Sequence, residues 1–174
     1  MVVVGDPGSG RSSVLDAVSH RVSIPVVRLG VNGSEARWPM SGVTSLFTAL
    51  DDPRASAHIA RLVRNVDEGL AAAHDFLDAV HALTLPPTLV LIDDLDRMDA
   101  ESQELIAFLA GRLAGTALRL VATVRRVPSN GPLTSLPTLR LEPLAQDEAL
   151  VLARDMAPEA VSYTHLTLPT ILRV

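Results

Sequence analysis

Residues 5–12 read Gly5-Asp6-Pro7-Gly8-Ser9-Gly10-Arg11-Ser12, between the apolar run Val2-Val3-Val4 and an amphipathic segment that carries Val14, Leu15 and Val18. The spacing is G-x-x-x-x-G-[K/R]-[S/T], with a strand pattern before it and a helix pattern after it, the context of a phosphate-binding loop. Glycines let the backbone curl until successive N–H groups face inward, and the following helix adds its positive N-terminal end, so such a loop cradles a polyphosphate. A nucleotide is the predicted ligand, bound by Gly5, Asp6, Pro7, Gly8, Ser9, Gly10, Arg11, Ser12 and Ser13. The side chains of Asp6 and Pro7 shape the turn while the backbone binds. Arg11 departs from the commoner Lys: the charge survives, as a planar multi-donor group instead of a compact ammonium. That substitution bears on hydrolysis more than on binding.

The second chemistry-bearing stretch lies about 80 residues downstream, where Leu89-Val-Leu-Ile92 delivers Asp93 and Asp94. A short, fully apolar run suits a strand buried on both faces, and the C-terminal edge of a parallel sheet is where ligands bind. One carboxylate there can hold a Mg²⁺ that bridges phosphate oxygens, together with the Ser12 hydroxyl, and the other can orient the attacking water. Asp93 is assigned to the metal side with Ser12, and Asp94 to the water side. An ordinary strand entering an acidic turn (Asp94, Asp96, Asp99) is the competing reading, and the upstream glycine loop argues against it.

A further strand pattern, Val121-Ala-Thr-Val-Arg125-Arg126, brings Thr123 and Arg125 to the same edge. Arg125 is placed there to contact a γ-phosphate, with a solvated strand-end arginine as the alternative; Arg126 faces solvent. Arg97 reads as a surface residue, and Trp38 and Phe47 as packing residues.

With 174 residues, 48% hydrophobic, 20% charged and a net charge of −5, the chain has the balance of one globular domain. There is no basic surplus for nucleic acid, no apolar run near membrane-span length, and no signal-peptide pattern, because the N-terminal valines meet Gly5 and Asp6 at once. The absence of cysteine excludes disulfides and thiolate metal sites and fits a cytoplasmic location. His20, His58, His74, His81 and His165 form no i,i+3 or i,i+4 pair, so a histidine metal site is not expected.

Strand and helix patterns alternate, which argues for a layered α/β domain with a mostly parallel sheet. Strands are expected at Val2–Val4, Ile24–Val31, Leu89–Ile92, Leu118–Val124 and Thr138–Leu141. Helices are expected at Ser12–Val22, Ser41–Leu50, across Ser56–Leu83 with a joint near Gly69, after an N-cap at Asp99 with a stop at Gly115, and at Gln146–Met156. Pro128–Pro137 reads as loop.

Both ends read as those of a fragment. Met1 stands only three residues before the turn, and the string Val161-Ser-Tyr-Thr-His-Leu-Thr-Leu-Pro-Thr170 resembles the in-frame translation of a transposase adapter used in sequencing libraries. The natural sequence is expected to stop near Ala160, leaving 1–160 as the domain and 161–174 as a non-native tail.

Taken together, G-D-P-G-S-G-R-S, L-V-L-I-D-D-L-D-R-M-D-A-E-S, L-R-L-V-A-T-V-R-R and L-R-L-E-P-L-A-Q-D-E-A resemble the nucleotide-binding module of STAND-class ATPases, most closely that of the large ATP-binding LuxR-type transcription regulators. The resemblance implies a three-layer P-loop NTPase fold: a parallel sheet of about five strands, order 5-1-4-3-2 counted along the chain, with helices on both faces. It implies ATP at Gly5–Ser12, Mg²⁺ at Ser12 and Asp93, slow hydrolysis helped by Asp94, and γ-phosphate sensing by Arg125. ATP and ADP are the implied ligands, and nucleotide-dependent self-association of the full-length protein is expected. DNA binding belongs to a region outside this chain. An energy-coupling AAA+ ATPase is the alternative, although it calls for a Glu where Asp94 stands. A nucleotide-binding scaffold without turnover is the third reading, hinted at by Arg11.

Overall fold

The apolar run ending at Asp93 can be accommodated as a strand only if both of its faces are covered. The computed structural model meets that demand with a five-stranded, wholly parallel sheet between helices. It describes residues 1–31, 33–52, 60, 62, 69–127 and 129–156. The strands are β1 (Val2–Val4), β2 (Val26–Gly30), β3 (Thr88–Asp93), β4 (Leu118–Val124) and β5 (Thr138–Arg140). Their order across the sheet is β2-β3-β4-β1-β5, the expected 5-1-4-3-2 seen from the other edge. The helices are α1 (Arg11–Arg21), α2 (Ser41–Leu50), α3 (Leu70–His81), α4 (Ala100–Ala110) and α5 (Gln146–Met156). The expected helical stretch before Gly69 lies outside the described residues apart from 60 and 62, and so does the tail from 157 onward.

The two-residue period of the strands sorts the layers. Leu89 and Leu91 of β3 and Val121 of β4 point to one face, where they pack on Leu15 and Val18 of α1. Val90, Ile92, Leu118, Leu120, Ala122 and Val124 point to the other, into a larger core shared with α2, α3 and α4. In that core Phe47 and Phe76 meet edge to face at 5.6 Å and 78°, a contact worth about 1 kcal/mol beyond the area it buries. The same alternation puts Asp93 and Thr123 on the face of α1, two steps beyond Leu91 and Val121. Here β4 lies between the loop strand and the acidic strand: Val3 pairs with Thr123, and the register that pairs Ile92 with Ala122 brings Asp93 level with Thr123.

Several boundaries differ from expectation. β2 is shorter, because Pro25 lacks an N–H and contributes only its carbonyl, which accepts from the Leu89 N–H at 2.9 Å. α4 ends at Ala110 with Gly111 as its C-cap, and Gly115 belongs to the turn that follows, so Leu113 lies beyond the helix. Within 128–137, Pro132–Ser135 forms a short 3₁₀ helix. Trp38 is 59% exposed, so it is not the packing residue it was expected to be, whereas Phe47 is fully buried. No helix of the described residues is long and apolar enough to cross a membrane.

Two compact units are present, Met1–Leu141 and Glu142–Val174. The second carries α5, whose first turn is secured by the Ala145 N–H donating to the Glu148 carboxylate at 2.9 Å.

Asp99 ties two helix starts together. Its carboxylate caps α4 by accepting from the Ser102 N–H at 2.9 Å, and it also accepts from the N–H groups of Met40 (2.9 Å) and Gly42 (3.0 Å) and the Ser41 hydroxyl (3.0 Å) at the start of α2. Burial raises the pKa of this carboxyl, but those hydrogen bonds outweigh it and hold the group below the usual carboxylate range. Because the native pKa is depressed, the stability it supplies is complete above the unfolded carboxyl's pKa and is lost as pH falls through the native value. Asp99→Ala is expected to cost about 2–4 kcal/mol in denaturant unfolding, from a lost cap and stranded N–H groups. The variant should also lose part of the acid-side decline in stability; an unchanged acid limb would show that another group carries it.

Candidate functional site

β1 runs directly into the glycine loop and α1 rises from its far side. The Ser9 N–H donates to the Asp6 carbonyl at 3.0 Å, closing the turn, and the Val14 N–H donates to the Gly10 carbonyl at 2.9 Å, starting the helix. Gly8 (φ +84°) and Gly10 (φ +86°) both take the left-handed conformation that glycine adopts without strain, and a Cβ at either would point into open space. Gly5 is close-packed instead: a Cβ there would run into the Ser9 side chain, which would have to move. No side chain caps α1, so its first N–H groups take no side-chain partner at the cap. The Ser9 hydroxyl is buried against Gly5 without a hydrogen-bond partner. Ser12 and Ser13 are exposed on the first turn of α1.

The loop meets the acidic strand through Ser12 on Asp93 and Arg11 on Asp94, with Thr123 of β4 between them. Ser12 Oγ donates to Asp93 Oδ2 at 2.6 Å, and Thr123 Oγ1 donates to Asp93 Oδ1 at 2.6 Å. The Asp94 N–H donates to the same Thr123 oxygen at 2.8 Å. Asp94 itself is left-handed (φ +54°), which costs a non-glycine residue roughly 1 kcal/mol but which Asp tolerates better than most. Partial burial raises the pKa of Asp93, but hydrogen bonds from Ser12 and Thr123 and the charge of Arg11 outweigh it, so the group stays ionised below the usual carboxylate range.

Arg11 folds back over the loop. One guanidinium nitrogen donates to the Gly5 carbonyl at 2.5 Å and another to Asp94 Oδ1 at 2.8 Å. Arg97 approaches the other oxygen of Asp94 at 3.4 Å, so the carboxylate lies between two arginines. Arg97 is exposed, as its reading as a surface residue expects, and its guanidinium reaches Asp94 from the 3₁₀ turn Leu95–Arg97 that follows it. Thr123 was placed at this edge without a role, although it is the lone hydroxyl in an otherwise apolar strand end.

Arg125 lies at the rim. With Asp6, Pro7, Asp96 and Arg126 it lines a cleft of about 370 Å³, and its Nε donates to Asp96 Oδ2 at 2.8 Å. The other oxygen of Asp96 is buried without a partner.

An uncapped helix start, an orphan hydroxyl and a hydroxyl–carboxylate pair make a donor set suited to a polyphosphate and a hard divalent cation. Mg²⁺ held by one carboxylate, one hydroxyl and the phosphates themselves needs no larger acidic cluster. Among the described residues there is no group of three or more His, Cys, Asp or Glu that could hold a metal alone.

Residues 1–122 match the family described as the AAA ATPase domain. The chain belongs to that family. Cdc6p from Pyrobaculum aerophilum, a solved structure, superposes with a TM-score of 0.54 at 16% identity, over 90% of this chain and 42% of its own. At that identity the likeness concerns the fold alone, and the AAA ATPase chain described here spans less than half the length of Cdc6p. Comparison with curated proteins finds no match.

Replacing Gly5 by Ala is expected to lower stability by about 1–3 kcal/mol through overpacking against Ser9. Adding Ser9→Ala should recover most of that loss in thermal unfolding. Absence of rescue would place the conflict elsewhere, at Leu141 Cβ, 3.3 Å from the added methyl.

Proposed function

We propose that this chain binds ATP with Mg²⁺ and hydrolyses it slowly, as the regulatory switch module of a LuxR-type transcription regulator. The observation that carries the nucleotide reading is the meeting of Arg11 and Ser12 from the glycine loop with Asp94 and Asp93 from β3. In this reading Gly5–Ser13 is a Walker A loop and Leu89–Asp94 a Walker B strand. Loop amides and Arg11 hold the phosphates, and Ser12 and Asp93 supply oxygen ligands to Mg²⁺, which neutralises charge on the phosphates when bound. Asp94 orients the attacking water, and Arg125 on the rim of the loop contacts the γ-phosphate after leaving Asp96. Residues 1–160 belong to the natural domain, and 161–174 are a tail foreign to it. DNA is contacted elsewhere in the full-length protein, which works in the cytoplasm and self-associates with nucleotide.

Membership in the AAA ATPase domain family equally supports a second reading, an energy-coupling AAA+ ATPase. Asp94, one methylene shorter than the Glu such an enzyme calls for, is what favours the switch. Sequencing the gene beyond residue 160 separates the two, since a LuxR-type regulator continues into a DNA-binding helix-turn-helix.

Calorimetric titration with ATP and Mg²⁺ is expected to show binding that Arg11→Ala abolishes and Arg11→Lys retains, because positive charge is needed at the β- and γ-phosphates. Asp93→Asn should remove the Mg²⁺-dependence of binding, and Asp94→Asn should suppress single-turnover hydrolysis. Unchanged ATP affinity in Arg11→Ala would sink the assignment of the loop.

A further inference from the structure

We infer that Thr123 is a positioning residue for the metal-side carboxylate, orienting Asp93 toward Ser12 and anchoring the backbone of Asp94 through one shared hydroxyl. The inference deepens the proposed function and rests on it. A hydroxyl has a single proton, and at Thr123 that proton goes to Asp93 Oδ1 at 2.6 Å. The lone pairs then face the Asp94 N–H, which donates at 2.8 Å. With Oδ1 held from β4, the carboxylate plane of Asp93 is fixed and Oδ2 is presented to Ser12 on the loop side.

The environment makes the hydroxyl hard to replace. Thr123 is fully buried, and its strand neighbours Ala122 and Val124 are equally inaccessible and carry no polar side-chain atom. Neither strand neighbour can therefore take over either hydrogen bond. Left-handed geometry at Asp94 turns the chain out of the sheet immediately after Asp93, and the Thr123 oxygen receives the N–H at that turn. One side chain on the strand between β1 and β3 therefore governs two acidic residues with different tasks: the orientation of one carboxylate, and the backbone position from which the other reaches Arg11. Partners that orient a metal-ligating carboxylate typically change metal affinity 10- to 100-fold when removed.

The test compares Thr123→Val, which keeps the branched shape and removes the hydroxyl, with Thr123→Ser, which keeps the hydroxyl. ATP binding is measured by calorimetry first in EDTA and then across a Mg²⁺ titration. For Thr123→Val the Mg²⁺ concentration giving half-maximal tightening should rise about 10-fold or more while metal-free ATP affinity stays within about 3-fold of the parent, and Thr123→Ser should restore the parental Mg²⁺ response. A parental Mg²⁺ response in Thr123→Val would overturn the inference. So would an equal loss of metal-free and Mg²⁺-dependent binding, the signature of a merely structural role. If Thr123→Val does not fold, Thr123→Ala against Thr123→Ser reads the same contrast. ATP binding by the parent with no effect of these substitutions overturns this inference alone, whereas no ATP binding by the parent overturns the proposed function and this inference with it.

Discussion

The hydrogen bond from Ser12 to Asp93 joins residues 81 apart in sequence, and it exists because β4 lies between β1 and β3. The parallel register sets how far each strand runs before it releases its loop. β1 ends in the glycine turn at the level where β3 ends in its carboxylates, and Thr123 on the intervening strand touches both acidic residues. The apolar layers above and below the sheet therefore do more than stabilise the domain. Leu15 and Val18 packed on Leu91 and Val121 hold the start of α1 over the acidic edge, and a slip of one residue in β3 would turn Asp93 to the opposite face.

Electrostatics at this edge are balanced within the protein. Asp94 is an anion placed between Arg11 and Arg97, and Arg11 has its other donor on the Gly5 carbonyl. A guanidinium can hold both partners at once because its donors are forked and planar, whereas an ammonium acts as a single point of charge. In the reading proposed here, an incoming phosphate competes with a carboxylate for the same cation. Replacement of the usual Lys by Arg thus affects the resting arrangement of the loop as well as its contact with nucleotide.

Much of this architecture was legible in the sequence because its signals are local. Three valines before a glycine-rich octet, an apolar run ending in two aspartates, and a seven-residue strand pattern at Leu118–Val124 each announce themselves within a few residues, whereas the sheet order came from the family resemblance together with the rule of right-handed crossovers. What escaped were features created by tertiary contact. Asp99 reads as an ordinary N-cap, and only the fold brings Met40, Ser41 and Gly42 to its carboxylate. Thr123 carries no motif, yet its hydroxyl receives the backbone N–H of Asp94. Trp38 was assigned to packing on residue type alone, and Gly115 to a helix stop that Gly111 provides, because neither composition nor period specifies which of two nearby glycines ends a helix.

The measurement that bears most directly on the central claim is a crystal structure of the protein with Mg²⁺ and a non-hydrolysable ATP analogue. The account predicts the triphosphate inside the Gly5–Ser12 loop, the cation between Ser12 Oγ and Asp93, and the Arg11 guanidinium moved from Asp94 to the phosphates. Phosphates bound away from the loop, or a cation that leaves the Ser12–Asp93 hydrogen bond intact while Arg11 remains on Asp94, would contradict it.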